Sequence, residues 1–349
     1  MLPNRRKIKL GKVVGFGEIM VRLQPPGYLK LLQADTFQVS YAGAEANVLV
    51  SLSRFGHKTD YITKLPCSEM SEAVVGALCR HRVGVDNIVY GGERLGLYYL
   101  ERGASQRPSK VIYDRKYSAI SEAKRDEFDW NYIFKDADWF HFSGITAALS
   151  PSMPDICEDA CKVAKALGVK ISCDLNYRAT LWSRQDATRA MSHLARYVDV
   201  MIGNEEDADN CLGIRPENTD VTGGKLDYSA YETVARQIVE RFGTTSVAFT
   251  LRGSVSASEN KWAAMLYQEG KAYYSKEYLI RLVDRVGGGD SFSGGLIYAM
   301  LEEYDPQQAV EFAVAASCLK QTMEMDFNLA SVADVRRLMD GDGSGRVQR

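Results

Sequence analysis

The sequence predicts an α/β protein of three layers, with a mostly parallel central sheet between helices and a small β-sheet projecting as a lid. Three observations carry this. From Asp138 onward, short apolar runs of strand length alternate with longer runs of helical period. Near the C-terminus, Gly287-Gly288-Gly289 sits between a strand pattern and an apolar helix pattern. Between about 87 and 117 the texture changes to short Tyr- and Arg-rich strands that suit an edge better than a core.

The 349 residues, 46% hydrophobic and 25% charged, suit a single α/β domain over 1–349. Its lid is expected mainly from about 87–117 plus N-terminal segments. A net charge of -2 gives no global pull toward nucleic acid or an anionic membrane. The basic cluster Arg5, Arg6, Lys7, Lys9 and Lys12 is short, and no apolar stretch behind it forms a signal peptide or spans a bilayer. Seven cysteines without a C-x-x-C pair read as reduced core thiols of a cytoplasmic protein. Four scattered histidines without H-E-x-x-H argue against a zinc site.

In chain order, Val13-Val14-Gly15-Phe16 is the first strand. Gly15-x-Gly17 lacks the third glycine of a dinucleotide fingerprint, since Met20 stands there, and no Gly-Lys pair is followed by Ser or Thr as a P-loop requires. The small residues Gly43-Ala44-Glu45-Ala46-Asn47 open a helix that lies close to a neighbour and stops at Gly56. Asn87-Ile88-Val89-Tyr90, Gly96-Leu97-Tyr98-Tyr99-Leu100 and residues 110–115 read as strands of a small antiparallel sheet. Such strands can cover a ligand, join subunits, or both. Strands at 138–142, 169–174, 198–202 and 246–250 then alternate with helices at about 154–167, 185–197 and 231–242. Ligands of such sheets bind at the C-terminal strand ends. Asp174, Asn176, Arg178, Asn204, Glu205, Thr250 and Arg252 follow those ends. The stretches 218–226 and 341–345 read as loops.

The glycine turn draws the chain's chemistry together. Glycines allow close backbone approach, and the free amides of a helix N-terminus favour an anion. Asp290 follows directly. A carboxylate there would repel a bound phosphate, but suits a base that takes a proton from an attacking hydroxyl. The plainer reading is a Gly-rich turn with an N-cap aspartate, and the residues alone leave both open.

These stretches together resemble the ribokinase (PfkB-type) family of sugar kinases, from about residue 13 to about 339. The family's D-T-x-G-A-G-D-x-F turn is matched at Asp284, Gly287, Gly289, Asp290 and Phe292, with Arg285 for the threonine and Gly288 for the alanine. Residues 43–47 are similar to its G-G-x-x-x-N signature, with Ala42 for the first glycine. Asn204-Glu205-Glu206-Asp207 is similar to its N-x-x-E motif, with Asp207 for the glutamate. Within the family the chain is most similar to 2-keto-3-deoxygluconate kinases, through residues 17–23, Gly96-Leu97-Tyr98, Tyr113-Asp114-Arg115 and Asp174-Leu175-Asn176-Tyr177-Arg178. Arg22 stands where many neutral-sugar kinases carry an aspartate.

The resemblance implies a ribokinase-like fold and ATP-dependent phosphorylation of the primary hydroxyl of 2-keto-3-deoxygluconate. Asp290 would be the general base, and Gly287, Gly288 and Gly289 the anion hole. It implies sugar-acid contacts from Gly43, Ala44, Glu45, Ala46, Asn47, Tyr98, Tyr113, Asp114, Arg115, Arg178, Asp290 and Asp326. It implies ATP contacts from Asn176, Tyr177, Arg178, Asn204, Thr250, Leu251, Arg252, Gly253 and the turn from Gly287 to Asp290. Mg2+ would accompany ATP, with Asp207 reaching it through water, and a monovalent-cation requirement stays open. The lid is expected to join a second copy in a homo-oligomer. The physics agrees: a carboxylate drawn into a closing site needs charge-assisted partners, which Arg115 and Arg178 can supply. Two alternatives stay open: a neutral-sugar kinase of the same fold, and a catalytically silent sugar-acid sensor, against which Asp290 argues.

Overall fold

The computed structural model describes residues 11–215 and 228–341. Arg5, Arg6, Lys7, Lys9, the stretch 218–226 and tail residues 342–345 lie outside the described residues. Nine strands form the main sheet among the described residues. Its parallel part runs, in spatial order, Lys58–Ile62, Lys12–Phe16, Trp139–Ser143, Lys170–Asp174, Val200–Gly203 and Ser246–Ser254. These strands are buried on consecutive residues because both faces are covered; Trp139–Ser143 is buried throughout. One apolar cluster gathers Phe16, Phe140 and Phe142 against the helix Met153–Ala166, and the other gathers Leu49, Phe292 and Phe312. Beyond Ser246–Ser254 the sheet turns antiparallel through Glu259–Gln268, which also pairs with Lys271–Tyr274 and Tyr278–Arg281.

The helix Gly288–Leu301 begins inside the glycine run. Gly287 is its N-cap with φ of 80°, a left-handed conformation that glycine adopts without strain. A Cβ at Gly287 would also stand 2.2 Å from the Asp326 carbonyl oxygen. The helix is buried almost all round, wedged among Ala44–Phe55 and Pro306–Lys320, so its apolar residues define no single face.

The lid sheet has the order Gln38–Ala42, Met20–Gln24, Gly96–Glu101, Lys110–Asp114. Its central pair, Met20–Gln24 with Gly96–Glu101, is parallel, so the sheet is not wholly antiparallel as expected. Val89–Tyr90 is absent from it and pairs instead with Lys64–Leu65 in a separate two-stranded sheet. A short β-branched and aromatic run specifies a strand, but not which edge it joins. All seven cysteines are free, yet Cys67 and Cys79 are exposed and not in the core. No described helix is long and apolar enough to cross a membrane.

Candidate functional site

A cleft of about 630 Å3 opens where the C-terminal ends of the parallel strands meet the lid and the glycine helix. Asp290 stands in the first turn of that helix and faces the cleft. Its Oδ2 accepts a 2.6 Å hydrogen bond from Asn47 Nδ2, which projects from the facing helix Ala44–Phe55. Burial pushes the Asp290 carboxyl up to about 6, against the pull of Asn47 and the charges of Arg178 and Lys320. Gly289 and Asp290 supply first-turn amides with no partner one turn back in the helix; the Gly288 amide donates to the Arg285 carbonyl at 3.4 Å, and Gly287 serves as the left-handed cap.

Glu45 forms the floor. Its Oε1 accepts from Ser143 Oγ at 2.6 Å and Thr146 Oγ1 at 2.7 Å, and burial lifts its pKa to about 7. The same carboxylate explains Gly17: a Cβ there would stand 2.0 Å from Glu45 Oε2. On the lid side, Tyr98 donates its hydroxyl to Asp326 Oδ1 at 2.9 Å. Asp326 Oδ2 is paired with Arg22, which also bonds the Asp284 carboxylate and Gln24 Oε1. Burial alone would lower the Arg22 pKa, but Asp326 and Asp284 outweigh it and hold the guanidinium charged. Arg22 is wholly buried and does not line the cleft. Lys320, also wholly buried, donates to the Asp284 carbonyl at 3.3 Å.

Arg115 reaches the cleft but is not free. Its Nε donates to Glu18 Oε2 at 2.8 Å and its Nη2 bonds the same oxygen, while Glu18 Oε1 accepts from Ser118 Oγ at 2.5 Å. Asp114 points away from the cleft to Arg94 Nη1, at 2.8 Å, because alternation along Lys110–Asp114 sends neighbours to opposite faces. Tyr113 lines the cleft under the Arg115 guanidinium, 5.4 Å from its ring centre. Arg178 lines the opposite wall, where its charge is felt at Asp174, Asp207 and Asp290.

Residues 10–324 match the model of the pfkB family carbohydrate kinases. The chain belongs to this family. It is 32% identical over 336 residues to a 2-dehydro-3-deoxygalactonokinase of Haloferax volcanii, covering 96% of this chain and 98% of the relative. A 2-dehydro-3-deoxygluconokinase of Thermoproteus tenax is 29% identical over 315 residues, 88% of this chain and 87% of its own. The crystal structure of a 2-dehydro-3-deoxygluconokinase from Thermotoga maritima superposes with a TM-score of 0.91 at 48% identity, over 95% of this chain and 98% of that one. The molecule is thus an ATP-dependent sugar kinase with a ribokinase-like fold.

Several residues of this pfkB kinase lie elsewhere than the sequence suggested. Thr250 and Arg252 face the cleft, but strand alternation buries Leu251 in the core, and Gly253 lies against Lys261. Gly43, Ala44, Glu45 and Asn47 line the cleft, whereas Ala46 is packed in the core. Asn176 and Asn204 line it, the latter capping the helix Glu205–Leu212 by accepting from the Asp207 amide at 2.8 Å. Tyr177 lies outside the lining, and its hydroxyl donates to the Trp182 carbonyl at 3.4 Å. Asp207 has one oxygen occupied by the Tyr177 amide at 2.9 Å. The sequence reading missed Glu18, Asn260, Trp262, Arg285 and Gln321 as lining residues. The hairpin register would have exposed two of them, since Asn260 and Trp262 lie opposite Ser254 and Arg252.

No group of three or more described His, Cys, Asp or Glu side chains converges to hold a metal. Asp174 and Asp207 both line the cleft and are the carboxylates that would hold a nucleotide-borne Mg2+ through waters.

Proposed function

We propose that this kinase transfers the γ-phosphoryl group of ATP to the primary hydroxyl of 2-keto-3-deoxygluconate. The observation that carries the reaction is Asp290, a partly buried carboxylate in the first turn of a glycine-led helix, oriented by Asn47. In this reading Asp290 accepts the hydroxyl proton. The first-turn amides, with Gly287 shaping the turn, stabilise the transferring phosphoryl oxygens. Mg2+ bound to the nucleotide would neutralise its phosphate charge. Tyr98, Tyr113 and Asp326 would hold the acceptor, and the lid would exclude water. Sugar acids are the substrates named for the relatives above, and Arg115 and Arg178 stand on two walls of the cleft.

A second reading has a specific observation behind it. Glu18 already neutralises much of Arg115, and Asp284 and Asp326 neutralise Arg22, so less positive charge awaits a carboxylate than the sequence suggested. A neutral-sugar kinase follows from that balance. The test is ADP formation with 2-keto-3-deoxygluconate, its galactonate epimer and fructose. We expect the gluconate-derived acid to give the highest kcat/KM. An equal or higher value for fructose would promote the second reading, and a preference for the epimer would reassign the acid.

A further inference from the structure

Four arginines line the cleft: Arg115 is ion-paired with Glu18, and Arg178, though it forms no ion pair with a described residue, has its charge felt at the carboxylates of Asp174 and Asp207. Neither Arg252 nor Arg285 forms an ion pair with a described residue. Arg252 Nε donates to Ser254 Oγ at 3.1 Å, and Arg285 Nη2 donates to Asn260 Oδ1 at 3.3 Å. Arg285 Nε is buried and donates to nothing among the described residues. A guanidinium offers more donors than these contacts use. The two charges also feel each other: burial and Arg252 push the Arg285 pKa down. Two neighbouring cations, one half-buried, without a counter-ion destabilise the empty cleft and favour an anion that enters it.

The position of the pair says which anion. Thr250, Arg252 and Ser254 alternate onto the cleft face of their strand, with Trp262 and Asn260 opposite them on the next. Arg285 comes from the adjoining connection, just before Gly287 caps the glycine helix. Positive charge therefore runs on from the pair to the first-turn amides. The rest of the cleft carries Asp174, Glu206, Asp207 and Asp290, which repel a multiply charged ligand. A singly charged sugar acid needs no such pair.

We propose that Arg285, standing where the family carries a threonine, joins Arg252 in a guanidinium clamp on the phosphate chain of the nucleotide donor. The inference rests on the kinase reading but not on the identity of the sugar. Binding of ATP, adenosine and tripolyphosphate to the full chain is measured by calorimetry with MgCl2 and no sugar, for the wild type, Arg252→Gln, Arg285→Thr and Arg285→Lys. Each neutral substitution is expected to weaken ATP and tripolyphosphate roughly ten- to a hundredfold, the size of a lost charge-assisted contact, and to leave adenosine unchanged. Arg285→Lys should recover part of the tripolyphosphate affinity, since it keeps the charge but not the planar fork. Unchanged ATP affinity would overturn the proposal. So would an equal loss for adenosine, the mark of a collapsed cleft. A wild type that binds ATP through the pair yet phosphorylates no sugar acid would leave the clamp standing and remove only the substrate reading.

Discussion

As the proposed base, Asp290 is subject to opposing demands. A base must be ionised at working pH, yet burial in the cleft favours its protonated form and lifts it to about 6. Asn47 resolves the conflict in part, because its 2.6 Å hydrogen bond goes to the ionised carboxylate and stabilises that form. Asp290→Asn should therefore keep fold and ATP affinity while turnover falls about 10²–10⁴-fold; wild-type turnover would remove Asp290 from the chemistry. The pH profile gives a second handle. kcat/KM should rise with pH as a group of pKa about 6 loses its proton. Asn47→Ala removes a contact that lowers this pKa, so the acid limb should move to higher pH. A limb that stays in place would show that Asn47 does not set the basicity.

The lid and the body are joined at the level of single elements by Arg22, which projects from the strand Met20–Gln24 to the carboxylates of Asp284 and Asp326. Removing one partner of a buried ion pair typically costs about 3–5 kcal/mol, because the charge left behind has no water to receive it. Arg22→Leu leaves two such carboxylates, and urea unfolding should register a loss of at least that order; stability equal to the wild type would mean that the carboxylates take up protons at little cost. The sequence showed Arg22 only as an exception to an expected aspartate. What it did make legible was local: the strand–glycine–helix turn, the alternation from Asp138 onward, and the cleft-facing Thr250 and Arg252. What it hid depended on pairing across distance. Val89–Tyr90 reads as a strand either beside Gly96–Glu101 or beside Lys64–Leu65, and only the folded chain chooses. Glu18 and Arg115 lie 97 residues apart, and no spacing rule links them. The consequence was largest for Arg115, which looked like a free cation and is a paired one.

At the scale of the whole molecule, the lid sheet leaves its outer strands open. Val39 on one edge strand is 54% exposed, and Ile112 on the other is 41% exposed. Open edges carrying apolar side chains are surfaces that a second copy can cover. We expect sedimentation to show an oligomer, and Val39→Lys combined with Ile112→Lys to shift it toward monomer with the fold intact. A wild-type monomer at working concentration would assign these residues to the lid alone. The root of the same lid behaves differently from its rim. The formal charges of Arg22, Lys320, Asp284 and Asp326 sum to zero, and all four side chains are almost wholly buried. Dissolved ions have nothing there to screen, whereas they can weaken the solvent-facing pair Arg94–Asp114. Brine should therefore loosen the lid from its outer edge inward and spare the hinge that ties it to the body.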